Sequence, residues 1–211
     1  MIYMKKFKYI VFDFDGTLVD SRAVFIRLYN DLAAKHGYTS MTPENLEHLR
    51  TLSIPQRCKY LNVPMYRIPF LAVVVMKNYR HAISEIPFNP GIKEMLETLS
   101  INNMPFAVLS SNSKGNIEQF FSLHGIACAD IFCSRSIFGK HVLLNTFLKE
   151  KKLKPSDILY VGDELRDIIA CRKIGVEVAW VSWGYDHEKA IENDKPDHVF
   201  HNLAELLAVA K

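Results

Sequence analysis

Asp13 and Asp15 stand two residues apart in Asp13-Phe14-Asp15-Gly16-Thr17-Leu18, directly after the apolar run Tyr9-Ile10-Val11-Phe12. Two carboxylates at the end of a buried strand are costly unless a cation meets them. The plain structural alternative is an Asp-Gly turn closing a hairpin. No alternating partner strand follows, however, only a helical pattern. A second acidic group, Gly162-Asp163-Glu164-Leu165-Arg166-Asp167, follows the run Ile158-Leu159-Tyr160-Val161. Asp163 and Asp167 are four apart, so in a helix beginning here they share its first turn. Acids also favour helix N-termini for ordinary electrostatic reasons, and the second group gains its weight from the first. An oxygen-only set of carboxylates points to Mg²⁺ rather than zinc. Ser110-Ser111-Asn112 supplies hydroxyl and N–H donors after a third run, Phe106-Ala107-Val108-Leu109, and Lys140 follows Phe138-Gly139. Each is weak alone, but the order Asp, Ser, Lys, Asp-Asp along successive elements is informative.

The runs that carry these residues are short, continuous and rich in β-branched and aromatic side chains. Such runs suit strands buried on both faces, as in a parallel sheet. In open parallel sheets ligands bind beyond the carboxyl ends of the strands, so the polar tips would meet at one site. Val176 to Val181 reads as a further strand, and Asp130 to Ser134 and His198 to Phe200 as shorter ones. Between them, Ile92, Met95, Leu96 and Leu99 fall on one helical face after Pro90-Gly91. Ile117, Phe120 and Phe121 repeat that pattern, as do Ile168, Ile169 and Ile174 before Gly175. Strand alternating with helix predicts an α/β fold with a doubly wound parallel sheet.

Residues 19–87 break that rhythm. Val24, Phe25, Leu28, Tyr29 and Leu32 form an amphipathic stripe with Asp20 or Ser21 as N-cap. Thr42-Pro43 is a second helix start, and Phe70 to Ile83 a third helical stretch. The division predicted is a small all-helical cap over 19–87, inserted after the first strand into a core formed by 1–18 and 88–211.

Over 211 residues, 49% hydrophobic and 23% charged, the composition is that of a globular chain and excludes general disorder. The formal charge of +3 argues against a nucleic-acid binder. The apolar run Ile68 to Met76 is far shorter than the ~20 residues of a membrane span. Lys5, Lys6 and Lys8 precede an apolar stretch that Asp13 and Asp15 cut short, so it is not read as a secretory signal. Cys58, Cys128, Cys133 and Cys171 form no C-x-x-C pair and read as reduced thiols of a cytoplasmic protein. The eight histidines show no metal spacing. Arg50, Arg57 and Lys59 are basic positions of the helical segment, where solvation is the ordinary state and contact with an anionic substrate the less common one. Trp180 and Trp183 are read as packing residues.

Taken together, these motifs resemble the haloacid dehalogenase-like hydrolases, in the phosphoglycolate-phosphatase-like branch with a helical cap after the first motif. Asp13-Phe14-Asp15-Gly16-Thr17-Leu18 matches the first motif, Ser111 the second, Lys140 the third, and Gly162-Asp163-Glu164 through Asp167 the fourth. Ser111 is preferred to Ser110 because Asn112 then takes the usual following position. The resemblance extends to Asn89-Pro90-Gly91 and Val181-Ser182-Trp183-Gly184-Tyr185, and so to nearly the whole chain.

The resemblance implies a Mg²⁺-dependent phosphatase of a small phosphorylated metabolite, a phosphomonoester such as phosphoglycolate, that acts on neither nucleic acid nor membrane. Asp13 would be the nucleophile, forming an aspartyl-phosphate. Asp15 would be the general acid and base, with crowding by Asp13 and Asp163 favouring its protonated form. Asp13, Asp163 and the backbone carbonyl of Asp15 would hold the metal, and Asp167 would complete that group or support Lys140. Ser111, the backbone N–H of Asn112 and Lys140 would bind the phosphoryl group. A carboxylate meeting a phosphate dianion at ~4 Å feels roughly 8 kcal/mol of repulsion at an effective dielectric near 20, which the metal and Lys140 could offset. An Asp two residues after the nucleophile separates the chain from dehalogenase members. A phosphotransferase of the β-phosphoglucomutase type shares the four motifs, and a binding protein with a relic site is the non-enzymatic alternative. Substrate identity and oligomeric state are not encoded in these motifs.

Overall fold

Each buried apolar run becomes a strand, because a run without alternation has to be covered on both faces. The computed structural model describes residues 7–128, 130–134 and 138–209, so Lys5 and Lys6 lie outside the described residues. Strand β1 is Tyr9–Phe12, β2 Phe106–Ser110, β3 Asp130–Cys133, β4 Ile158–Gly162, β5 Glu177–Val181 and β6 His198–Phe200. They pair in parallel in the order β3-β2-β1-β4-β5-β6. From β1 the chain builds outward to β2 and β3, then returns to lay β4 on the other side of β1. That reversal opens a crevice at the carboxyl ends of β1 and β4, the place where such sheets bind ligands.

Side chains alternate across the sheet. Ile10, Phe12, Val108, Leu159 and Val161 point to one face, which α5 (Ile92–Ile101) and α6 (Lys114–His124) cover. Val11, Ala107, Leu109, Ile158 and Tyr160 point to the other, covered by α7 (Lys140–Lys151) and α8 (Leu165–Ile174). A last helix, α9 (Leu203–Val209), adds Leu206 to the first layer. The expected α/β doubly wound sheet is therefore present.

Between β1 and β2 the chain first forms α1 (Arg22–His36), α2 (Pro43–Arg50), α3 (Ile54–Tyr60) and α4 (Ile68–Tyr79). Its entering and leaving strands run side by side: the Asp20 N–H donates to Pro87 O at 3.0 Å and the Asn89 N–H to Leu18 O at 2.9 Å. Thr42-Pro43 starts α2 as predicted, with the Thr42 N–H donating to Asn45 Oδ1 at 2.9 Å. Two details differ from the periodicity. Helix α3 is additional, and α4 begins two residues before Phe70, taking Pro69 into its first turn, where a missing N–H costs nothing. It ends at Tyr79, where a 3₁₀ segment, Arg80–Glu85, carries the chain on.

All four cysteines are free thiols. Among the described residues, no helix is long and apolar enough to cross a membrane.

Candidate active site

Asp13 leaves the end of β1 with its N–H donating to Val161 O at 2.9 Å, which locks it beside β4. The next side chain, Phe14, turns the other way into Phe120 and Phe121, with ring centroids 5.4 and 6.1 Å away. That burial pins the loop from beneath and leaves the Asp13 carboxylate, only 1% exposed, facing the crevice. Oδ1 of Asp13 accepts from the Phe14 N–H at 2.7 Å, and Oδ2 accepts from Lys140 Nζ at 2.7 Å. Lys140, the first residue of α7, also donates to Asp167 Oδ1 and lies 5.5 Å from the centre of the Tyr160 ring. Burial works against its charge, but Asp13 and Asp167 outweigh that effect and raise its pKa.

Asp163 follows β4 and precedes α8 rather than standing in its first turn; Glu164 is the N-cap residue. Asp167 is in that turn and does two jobs. Its Oδ2 accepts from the Glu164 N–H at 3.1 Å, a helix-capping bond, while Oδ1 holds Lys140. The ordinary capping reading and the functional one are thus both realised on one side chain.

Asp13, Asp163 and Asp167 are all buried and each presents an oxygen within 4.8 Å of the others. Three carboxylates carry −3 and Lys140 returns +1, so the cluster is left at −2. Its donors are all hard oxygens, and the charge deficit is that of one divalent cation; the residues fit such an ion. Burial raises the Asp163 pKa well above the usual carboxylate range, and the charges of Glu164, Asp13 and Asp167 add to it.

Asp15 sits on the same loop, but its carboxylate turns out of that cluster. Oδ1 accepts from Ser21 Oγ at 2.7 Å and Tyr79 OH at 2.6 Å, and Oδ2 from Asn112 Nδ2 at 2.8 Å. Burial, with Asp15 itself next, pushes the Tyr79 pKa up, so this hydroxyl keeps its proton and donates. Ser21 stands at the N-cap position of α1, yet its hydroxyl makes no capping bond there. The Asn112 N–H donates to Ser110 Oγ at 3.1 Å, and Ser111 Oγ accepts from Arg166 Nη1 at 3.1 Å. The structure therefore gathers every expected site residue at the carboxyl edge of the sheet, in two groups. Asp13, Lys140, Asp163 and Asp167 form the buried one, and Asp15, Ser111 and Asn112 the one facing the helical segment.

Several residues with no role assigned from sequence hold these groups in place. Thr17 Oγ1 donates to Asp163 Oδ1 at 2.7 Å, the Tyr185 N–H to Oδ2 at 2.6 Å, and Trp180 Nε1 to the Asp163 carbonyl at 2.7 Å. Trp180 and Trp183, read as packing, thus also position the site; the Trp183 indole donates to Thr17 O at 3.1 Å. Gly16 and Gly184 admit Asp163: a Cβ on Gly16 (φ +80°) would lie 2.3 Å from Asp163 Oδ2, and one on Gly184 2.1 Å from Asp163 Cβ. Glu164 ties two elements together, pairing with Arg166 beside it and with Arg57 from α3 at 4.0 Å. Burial disfavours the Glu164 charge, but Arg166, Arg57 and Lys140 outweigh it and hold its carboxyl below its ordinary value. Arg57 also pairs with Asp186, and Arg50 Nε donates to Tyr185 O at 3.1 Å, so both arginines hold α2 and α3 against the core loop 184–186. Lys59 is exposed. Arg166 was legible in principle, since it lies inside the acidic motif between Asp163 and Asp167. Tyr79 comes from a distant segment with no local signal, and Tyr185 from a stretch that the resemblance marks without giving it a role.

A cavity of about 230 Å³ extends from Asp15, Ser111 and Arg166 into the helical segment.

The description "haloacid dehalogenase-like hydrolase" belongs to the family profile that matches residues 10–181. Among curated proteins, a phosphoglycolate phosphatase from Synechococcus elongatus is 28% identical over 200 residues, covering 94% of each chain. One from Vibrio parahaemolyticus is 26% identical, covering 96% of this chain and 95% of its own. Among solved structures, a haloacid dehalogenase-like hydrolase family protein from Streptococcus pneumoniae superposes with a TM-score of 0.80 at 21% identity, over 97% of this chain and 99% of the other. A predicted phosphoglycolate phosphatase from Haemophilus somnus gives 0.77 at 23% identity, over 99% and 100%.

Proposed function

This chain belongs to the haloacid dehalogenase-like hydrolases, and from that premise we propose a Mg²⁺-dependent phosphatase that works through an aspartyl-phosphate on Asp13. It is an enzyme, a hydrolase of the phosphatase type. The observation that carries the finer reading is the position of Lys140, bridging Asp13 and Asp167 inside an acidic cluster that lacks two positive charges.

Asp13, Asp163 and the main-chain carbonyl of Asp15 would hold the ion, with Asp167 beside them. A bound Mg²⁺ supplies positive charge to the phosphoryl oxygens. Lys140 holds Asp13 in place through its hydrogen bond to Oδ2, so that an oxygen of the carboxylate attacks phosphorus while the ester P–O bond breaks. Ser111 Oγ and the Asn112 N–H, once it leaves Ser110, donate to phosphoryl oxygens as charge develops on them. Asp15 gives a proton to the departing oxygen, then accepts one from the water that opens the acyl-phosphate. Tyr79, Ser21 and Asn112 hold Asp15 in place for both transfers. Residues 19–87 act as a cap domain over the core, keeping bulk water from the intermediate. The free thiols suit a cytoplasmic setting.

The two-carbon phosphomonoester named for the curated relatives is the first compound to assay. Phosphate release that needs Mg²⁺, and that Asp13→Asn abolishes while the far-ultraviolet dichroism is kept, is the expected result. Equal release with and without Mg²⁺ would overturn the proposal.

A further inference from the structure

We propose that the phosphomonoester taken by this site carries an apolar organic part about the size of a six-carbon ring or chain, rather than a second acidic group. This rests on the phosphatase reading above. The cavity that begins at Asp15 does not stop at the polar residues; it continues between α1, α3 and α4, with a volume of about 230 Å³. Its inner wall is made by side chains such as Leu32, Met41, Leu61, Ile68, Leu71 and Met76. An apolar cavity of about 150 Å³ stays dry and holds a benzene molecule. The present one is larger; it opens through the polar residues Asp15, Ser111, Glu164 and Arg166 and is walled elsewhere mainly by apolar side chains.

Polar groups lie at its mouth, where a phosphoryl group would sit, and they are already engaged. Tyr29, further in, spends its hydroxyl on Thr39 O at 2.8 Å, so it offers the cavity its ring. Tyr79 spends its own on Asp15. At the mouth, Arg57 is paired with Asp186 and Glu164, and Arg166 with Glu164. A substrate carboxylate entering beyond them would meet Glu164 and Asp15 with these cations already neutralised, and then an apolar wall. Burying such a charge without a partner is expensive. An alkyl or aryl group entering the same space gains by leaving water and fills a void that close-packed interiors otherwise avoid. The cavity thus favours the first class of leaving group over the second.

The test is a series of n-alkyl phosphates from methyl to hexyl, with phosphoglycolate and acetyl phosphate alongside, all with Mg²⁺. The expected kcat/KM rises about three- to fourfold per methylene, about 200- to 1,000-fold across the five methylenes of the series. Phosphoglycolate should fall below hexyl phosphate. Ala72→Phe, which projects a ring into the cavity, should lower the hexyl-to-methyl ratio by on the order of tenfold, whereas Val75→Ala should extend the rise to longer chains. Reading the ratio within each variant removes any effect of partial unfolding, and the unsubstituted enzyme decides alone where a variant does not fold. A flat series beside good turnover of acetyl phosphate or phosphoglycolate would overturn the apolar class and leave the phosphatase intact. No release from any phosphomonoester, nor from acetyl phosphate, an acyl phosphate, would instead remove the phosphatase reading on which this one rests.

Discussion

Replacing Lys140 by Met keeps most of the apolar stem and removes the cation that pairs with both Asp13 and Asp167. The Lys140–Asp13 contact at 2.7 Å is worth about 6 kcal/mol of attraction at an effective dielectric near 20, before the opposing cost of burial. Asp167 is held by the same ammonium, so the substitution strands two carboxylates at once. Removing one partner of a buried pair costs about 3–5 kcal/mol, and with chelator present we expect a loss in that range. With a urea slope near ~3 kcal/mol per molar, the unfolding midpoint falls by about 1–2 M. Charge counting adds a second expectation. The cluster goes from −2 to −3, so excess Mg²⁺ should restore more stability to the variant than to the parent protein. Urea unfolding of both proteins, each in chelator and in saturating Mg²⁺, measures the four numbers. A loss below about 1 kcal/mol in chelator, or equal stabilisation of both proteins by Mg²⁺, would refute the view that Lys140 balances this cluster.

Three further perturbations probe other parts of the site. Tyr79→Phe deletes the hydroxyl that α4 donates to Asp15, a charge-assisted bond worth about 1.5–3 kcal/mol; kcat in phosphate release should fall at least about tenfold with the fold unchanged. Gly184→Ala forces a methyl into Asp163 and should weaken Mg²⁺ binding in a calorimetric titration by an order of magnitude or more; unchanged affinity would mean that Asp163 is no ligand. Phe14→Ala empties the pocket between Phe120 and Phe121 beneath the Asp13 loop and should cost about 3–5 kcal/mol in thermal or urea unfolding.

Much of the core was legible because its strands are buried on both sides and so read as unbroken apolar runs. Residues Tyr9 to Phe12, Phe106 to Leu109 and Ile158 to Val161 carry no alternation to misread, and each ends within two residues of a candidate site residue. The helical segment was legible only in outline. Helix α3 has seven residues, a proline near its start and one fully buried side chain, Cys58, too little for a periodic signal. Proline at position 69 resembles an interruption until the helix is seen to start one residue earlier.

At the site, residue types and their order along the chain pointed to the acidic cluster and its lysine. The orientation of Asp15 was not available in the same way. Beside Asp13 in sequence it reads as crowded by Asp13 and Asp163, yet its carboxylate is drawn to Tyr79 and Asn112, 64 and 97 residues away. No local pattern encodes contacts of that range. The same holds for Tyr185, whose backbone reaches Asp163 from a loop 22 residues further on.

The phosphoryl group proposed to form on Asp13 can be read directly. The enzyme would be quenched in acid during turnover with Mg²⁺, digested, and the peptide containing Asp13 weighed by mass spectrometry. One added phosphoryl group is expected on that peptide, labile at alkaline pH and missing from Asp13→Asn. Rapid phosphate release with no label on Asp13, or undiminished release by Asp13→Asn, would contradict the proposed intermediate.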